Sequence, residues 1–292
     1  MELYEFTFNA MTTPCKVKLY TDSESKASLC FEEIKKNTLR LEKKYNYFDP
    51  KSYLHREINT RKRNVVKLDK ETLDVLTQVR ILSEATNGTF DITVGTLKSC
   101  YKRNTLEEVE ACLNKKRPFT GLEAWWIKDK KIHTKDKKTL FDLGGVIKEF
   151  AVDEASKIAK KHKIPTALIN YGGDIFVYGH KPGDEHFFIG IKNPKNPKEN
   201  IAILPLDNQA LTTSANYERN REIEGIEFSH IIGANTNQAG IISSTIISNS
   251  VLVSGVYSTV FMLEMDITIP DGIGVMLVDR DMKIHQNLMQ EN

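Results

Sequence analysis

Two apolar runs in the middle of the chain each lead into a pair of glycines beside an acid. Phe141-Asp142-Leu143 runs into Gly144-Gly145, and Ala167-Leu168-Ile169 runs on to Gly172-Gly173-Asp174. A glycine pair gives the backbone conformations that other residues avoid and lets its N–H groups approach a ligand closely. After the first pair, Val152, Ala155, Ile158 and Ala159 recur at helical spacing until the break before Pro165, so this pair opens a helix. A helix N-terminus presents free N–H groups and the positive end of a dipole, which suits a phosphate. Asp142 before the turn and Lys148 after it add an acceptor and a cation. Either element alone is equally an ordinary turn. Together they point to a phosphate or dinucleotide site, and because the spacing is not GxGxxG, a Rossmann nucleotide fold is disfavoured.

The surrounding pattern is α+β. Residues 3–20 alternate polar and apolar around Met11-Thr12-Thr13-Pro14 and read as two strands joined by a tight turn. From Ser23 to Tyr45, Leu29, Ile34, Leu39 and Leu41 mark an amphipathic helix. Asp69 is placed to cap a second helix through Leu73, Leu76, Val79 and Leu82, which stops at Asn87-Gly88. The stretch 122–140 reads as strand. The last third reads as strands at 187–191, 201–206, 226–232 and 275–278, with a helix from about Ser254 to Leu263. There is no repeat and no linker, so residues 1–292 are expected to form one interleaved unit, with a cleft between two lobes.

The chain has 292 residues, enough for a substantial core. With 41 basic and 39 acidic residues the net charge is +2, and no global field recruits nucleic acid. No apolar run approaches the roughly 20 residues of a membrane helix. The start, Met1-Glu2-Leu3-Tyr4, carries no export pattern. A cytoplasmic location is the expectation, or a periplasmic one if a signal was removed before residue 1. Cys15, Cys30, Cys100 and Cys112 have no metal-ligand spacing, and the expectation is four reduced, mostly structural thiols.

Two further clusters carry polar chemistry. In Gly88-Thr89-Phe90-Asp91, Phe90 is placed to stack a ring whose edge Thr89 and Asp91 would meet, or else is a core anchor. The hydroxyl-rich run 212–219 is followed by Ser229-His230. A lone histidine accepts a proton only beside a substrate and is otherwise a structural or surface group.

In order along the chain, these segments resemble the landmarks of the FAD:protein FMN transferases, the ApbE family. Ala10-Met11-Thr12-Thr13 is similar to an AMGT turn, and residues 88–93 to GxFDPT. Residues 142–153 are similar to DLGGIAKGYAVD, and residues 170–174 to NxGGD. Residues 213–219 follow TSGxYER, His230-Ile231-Ile232 opens an HIIDPxTG pattern, and residues 254–259 follow ADALST. The resemblance implies a T-fold-related arrangement of mixed sheets with packed helices. FAD would lie with its ring system near Met11 and the Tyr47/Phe48 loop and its polar edges at Thr89, Phe90 and Asp91. Asp142, Lys148 and His230 would be close by, His230 as the catalytic candidate.

The resemblance also implies a magnesium ion bridging the pyrophosphate. Its ligands would be the Gly145 backbone carbonyl, the Thr259 hydroxyl and an acid four residues before that threonine. A threonine of a target flavoprotein would attack the FMN phosphorus and release AMP. Departures gather at the metal. The acid position holds Gly255, the Lys-Gly pair reads Lys148-Glu149, and Ala215, Gly233 and Asn237 replace other pattern residues. Two alternatives therefore stand beside the transferase: a flavin-binding module without turnover, and a pyrophosphatase splitting FAD with water.

Overall fold

The computed structural model describes residues 1–183, 186–215, 220–224, 226–229 and 240–288. The chain opens with the hairpin β1 (Glu2–Ala10) and β2 (Thr13–Thr21), then α1 (Glu24–Tyr45). A lateral segment follows, with β3 (Val65–Lys67), α2 (Lys70–Ala85), α3 (Leu106–Lys116), β4 (Trp125–Lys128) and β5 (Lys131–Thr134). Next come α4 (Ile147–Lys161), β6 (Thr166–Tyr171), β7 (Asp174–Tyr178), β8 (Phe187–Lys192), β9 (Asn200–Leu206) and β10 (Ala210–Ala215). The chain closes with β11 (Asn220–Ile223), β12 (Ile226–Ser229), β13 (Ile241–Ser248), α5 (Val251–Phe261), β14 (Gly274–Asp279) and β15 (Ile284–Asn287).

Eight strands form one sheet in the order β1-β2-β6-β7-β10-β13-β14-β15, with every neighbour antiparallel. One face carries α1, α4 and α5, burying Val17, Leu19, Ile34, Val152, Ile169 and Val256 in a common core. The β8–β9 hairpin covers the other face, setting Phe187, Ile191 and Leu206 against Tyr20, Val177 and Leu211. This double cover explains why every residue of β7 is buried, whereas edge strand β1 alternates exposed and half-buried. Most of the lateral segment shares the core of the sheet, with Leu76, Val79 and Trp125 in the same apolar cluster, while α3 keeps a small cluster of its own.

Local signals place most elements. Asp69 accepts the Thr72 N–H at 2.9 Å and caps α2. Beyond the end of α2, Asn87 and Gly88 take positive φ, 51° and 78°, and the Gly88 N–H reaches back to the Ser83 carbonyl at 2.7 Å. The basic stretch 128–138 includes the tight β4–β5 turn, with Asp129 and Lys130 at positive φ.

Three expectations are corrected. Helix α1 exists, but Leu29 is 63% exposed and Leu39 is 39% exposed. Its buried stripe is Ala27, Cys30, Phe31, Ile34, Thr38, Leu41 and Tyr45. Leu29 and Leu39 each lie five residues from Ile34, about 500° of rotation, and so cannot share its helical face. Second, the thiols are not all reduced. Cys100 and Cys112 form a disulfide, with Cα atoms 5.4 Å apart, in a small cluster with Leu97, Val109 and Leu113. Cys15 and Cys30 remain free and buried, where burial pushes both thiols up to about 12. Third, α5 begins at Val251 rather than near Ser254. The Asp153 carboxylate of α4 accepts from Ser250 Oγ and from the Val251 and Leu252 N–H groups, so the cap comes from another helix. The sequence pattern also passes over α3, β10 and β13, and residues 230–232 of one expected strand lie outside the described residues.

Candidate functional site

The β1–β2 turn and the Gly172-Gly173 turn between β6 and β7 lie at neighbouring strand ends, with Cys15 of β2 paired to Tyr171 of β6. In the β1–β2 turn Met11 and Thr12 both have positive φ, 52° and 60°, the signature of a type I′ hairpin turn. A β-branched residue in that conformation is an outlier. The turn is held by the Met11 N–H, which donates to Glu42 Oε1 of α1 at 2.6 Å. The β6–β7 turn presses against it: a Cβ on Gly172 would lie 2.1 Å from Thr13 Oγ1, and φ there is +64°. Asn170 Oδ1 accepts the Gly173 N–H at 2.8 Å. Asp174, buried at 2% exposure, meets the Lys148 ammonium of α4 at 2.6 Å.

Asp142 sits on a segment held by side chains rather than by a ladder. Thr96 Oγ1 accepts the Leu140 N–H at 2.8 Å and donates to the Leu140 carbonyl at 3.3 Å. The buried Asn59 amide does the same for Phe141, both bonds at 2.8 Å. The Asp142 N–H donates to the Ile92 carbonyl at 2.8 Å. Gly95 permits this close approach, since a Cβ there would lie 2.8 Å from the Leu140 oxygen. The Asp142 carboxylate pairs with Lys98 and accepts the Gly144 N–H at 3.0 Å. Lys98 also lies 5.0 Å from the centres of both the Tyr47 and Phe48 rings, and the Tyr47 hydroxyl donates to the Gly95 carbonyl at 2.7 Å. Burial and the nearby Asp142 charge raise the Tyr47 phenol. Phe48 is 72% exposed, an apolar ring left at the rim.

Between these two pairs runs the turn 142–148. Gly144 and Gly145 are exposed, and a Cβ on Gly145 would meet open space. Val146, at the N-cap of α4, provides no side-chain cap. The first N–H groups of α4 thus lack the side-chain acceptor that α1, α2 and α3 each have.

The Thr89-Phe90-Asp91 cluster is mostly internal. Phe90 is in the main core. Asp91 Oδ1 accepts the Thr93 N–H at 2.7 Å, and Oδ2 accepts the Gly121 N–H at 3.0 Å; the Thr93 hydroxyl donates as well. Burial raises this carboxyl above its ordinary value against the pull of those hydrogen bonds. Asp91 thereby caps the short turn Ile92–Thr96 that supports Asp142. Thr89 is half-buried beside it.

The α4–α5 contact carries the least expected feature. Asp153 caps α5 at Val251, and one turn earlier on α4 Glu149 lies against Gly255, one turn later on α5. A Cβ on Gly255 would be 2.4 Å from Glu149 Cγ and 3.4 Å from Oε1. The helices therefore run antiparallel in register here, and Thr259 lies one further turn along α5. Glu149 is buried at 6% exposure, and its Oε2 has no hydrogen-bond partner among the described residues. Burial and the Asp174 charge push its carboxyl up to about 7, with Lys148 opposing. Hydroxyls fix α5 on the sheet, Ser258 to Ser214 at 2.9 Å and Ser254 to Ser248 at 2.8 Å.

The structure thus brings Met11, Tyr47, Asp142, Gly145 and Lys148 to adjoining turns and turns Phe90 and Asp91 inward. His230 lies outside the described residues, as do Gly233 and Asn237. Lys98 carried no signal in the sequence, since nothing local marks it as the partner of a residue so far along the chain.

The sequence profile of the ApbE family matches residues 11–268. An FAD:protein FMN transferase of Vibrio cholerae is 24% identical over 202 residues, 66% of this chain and 60% of that protein. One of Chlamydia pneumoniae is 29% identical over 229 residues, 76% of this chain and 70% of that protein. The ApbE protein of Thermotoga maritima matches the structure with a TM-score of 0.86 at 25% identity, covering 98% of this chain and 97% of that one. The flavin transferase ApbE of Vibrio cholerae has the same fold, with a TM-score of 0.84 at 21% identity and the same coverage. With a profile match across most of its length and this shared α+β architecture, the chain belongs to the ApbE family.

Proposed function

We propose that this chain binds FAD along the turns at residues 11, 47–48 and 142–148 and transfers its FMN half to a threonine of an acceptor flavoprotein. The observation that carries this reading is the open turn Gly144-Gly145 at the uncapped N-terminus of α4, flanked by Lys98 with Asp142 and by Lys148 with Asp174. An exposed glycine pair, a helix dipole and two lysines suit a pyrophosphate, and the exposed Phe48 ring beside Tyr47 suits a flat aromatic ligand. Names of the relatives above support the activity.

In the reaction the threonine oxygen forms a bond to the FMN phosphorus, the pyrophosphate bond to AMP breaks, and the hydroxyl proton passes to a base, a role proposed for His230. Lys98 and Lys148 hold the phosphates, and the Tyr47/Phe48 edge orients the ring. Among the described residues no three His, Cys, Asp or Glu side chains gather into a metal cage. Magnesium binds through one or two protein groups together with substrate phosphates, so the Gly145 carbonyl and Thr259 are compatible with it. When bound, the ion would neutralise the leaving pyrophosphate oxygens.

The test incubates the protein with FAD, magnesium and an acceptor protein carrying the threonine. An FMN-sized mass increase on the acceptor together with AMP is expected. AMP without an adduct would replace transfer by FAD hydrolysis, and retained FAD with neither product would leave a flavin-binding module.

A further inference from the structure

A buried carboxylate with an idle oxygen is costly unless a cation completes it. Glu149 is in that position, 6% exposed with Oε2 unpartnered among the described residues. The nearby charges do not relieve it. Asp174 and Asp153 are both acidic, and Lys148 is the basic group acting on it. The Lys148 ammonium pairs with Asp174, and Asp153 is engaged by three donors at the start of α5. Glu149 thus faces two acidic neighbours, and the ammonium that acts on it is already paired with Asp174. Glu149 Cγ fills the space that a side chain at Gly255 would need, one turn from Thr259.

We infer that Glu149 supplies the protein carboxylate of a divalent-cation site at the α4–α5 contact, from the opposite helix and in place of any side chain at position 255. The cation is shared with Thr259, the Gly145 carbonyl and the phosphate oxygens of the substrate. Gly255 is then the condition for this ligand rather than the loss of one: the glycine on α5 makes room for the glutamate on α4. This inference rests on the reading of the site as one for FAD.

Manganese(II) is the probe, titrated near neutral pH into the full chain saturated with FAD, with free metal followed by electron paramagnetic resonance. FAD binding in EDTA is measured separately by fluorescence. Glu149→Gln, which keeps shape and removes charge, is expected to weaken manganese binding at least about tenfold while leaving FAD affinity in EDTA unchanged. The exchanged variant Glu149→Gly/Gly255→Asp is expected to regain manganese binding, and it carries the test if Glu149→Gln does not fold. Manganese bound as tightly by Glu149→Gln as by the unmodified chain would overturn the inference alone, as would a folded exchanged variant without manganese. No manganese on the unmodified chain would overturn the metal reading and the inference together. No FAD binding in EDTA would overturn the proposed function.

Discussion

Asp153, in the middle of α4, accepts the first helical N–H of α5, from Val251, at 2.9 Å. The same carboxylate also takes the Leu252 N–H and the Ser250 hydroxyl, so one side chain satisfies the helix start and joins the two helices. Asp153→Ala should therefore cost more than an ordinary cap, about 2 kcal/mol or slightly above. Urea denaturation followed by circular dichroism measures it. A loss below about 0.5 kcal/mol would mean that the cap does not anchor α5.

Gly255→Asp alone should destabilise the protein by about 1–3 kcal/mol through overpacking, because the new Cβ would meet Glu149 Cγ at 2.4 Å. Adding Glu149→Gly should recover much of that loss. The two changes would then be strongly non-additive in a double-mutant cycle, and additive costs would show that the side chains do not compete for one space.

The Cys100–Cys112 disulfide closes a short loop, with a sequence separation of 12 residues. Chain-entropy arguments give such a loop about 3 kcal/mol. Cys100→Ser/Cys112→Ser is expected to lower the melting temperature and to speed hydrogen exchange chiefly in residues 97–116. Unchanged exchange there would assign the stability of this segment to its apolar cluster instead.

A carboxylate network gives the acid-side pH dependence. Burial alone would raise the Glu71 carboxyl, but hydrogen bonds from Arg40 and Lys44 outweigh it and hold the group below its ordinary 4.5. A depressed folded value contributes stability above the unfolded value, and that stability is lost as pH falls through the folded one. Glu71→Gln should thus be less stable than the unmodified chain at neutral pH, with the gap closing below about pH 4.5. Denaturant midpoints across that range decide it: a gap that stays constant would remove Glu71 as the titrating group.

Local chemistry made much of this fold legible. Asp69 as a cap, Asn87-Gly88 as a stop and Gly144-Gly145 as a helix entry depend on a few adjacent residues, and the structure has all three. Helix α1 was readable as a helix but not by face, because Leu29 and Leu39 are surface leucines and Thr38 and Cys30 are core residues. Strands β10 and β13 escape an apolar count because they bury hydroxyls, such as Ser214 against Ser258. Lys98, Asp153 and the disulfide are tertiary facts, each joining residues that no local pattern connects. Glu149 and Gly255 were visible as two separate departures from a family pattern. Only their contact makes them one.

The hydroxyl pairs beneath α5 have a mechanical consequence. Hydrocarbon contacts tolerate sliding and rotation, whereas a hydrogen bond is directional and weakens within a few tenths of an ångström. Ser258 on Ser214 and Ser254 on Ser248 therefore act as indexing pins between helix and sheet. They fix the axial position and azimuth of α5, so that Thr259 and the Gly255 notch stand at set places relative to α4 before any ligand arrives.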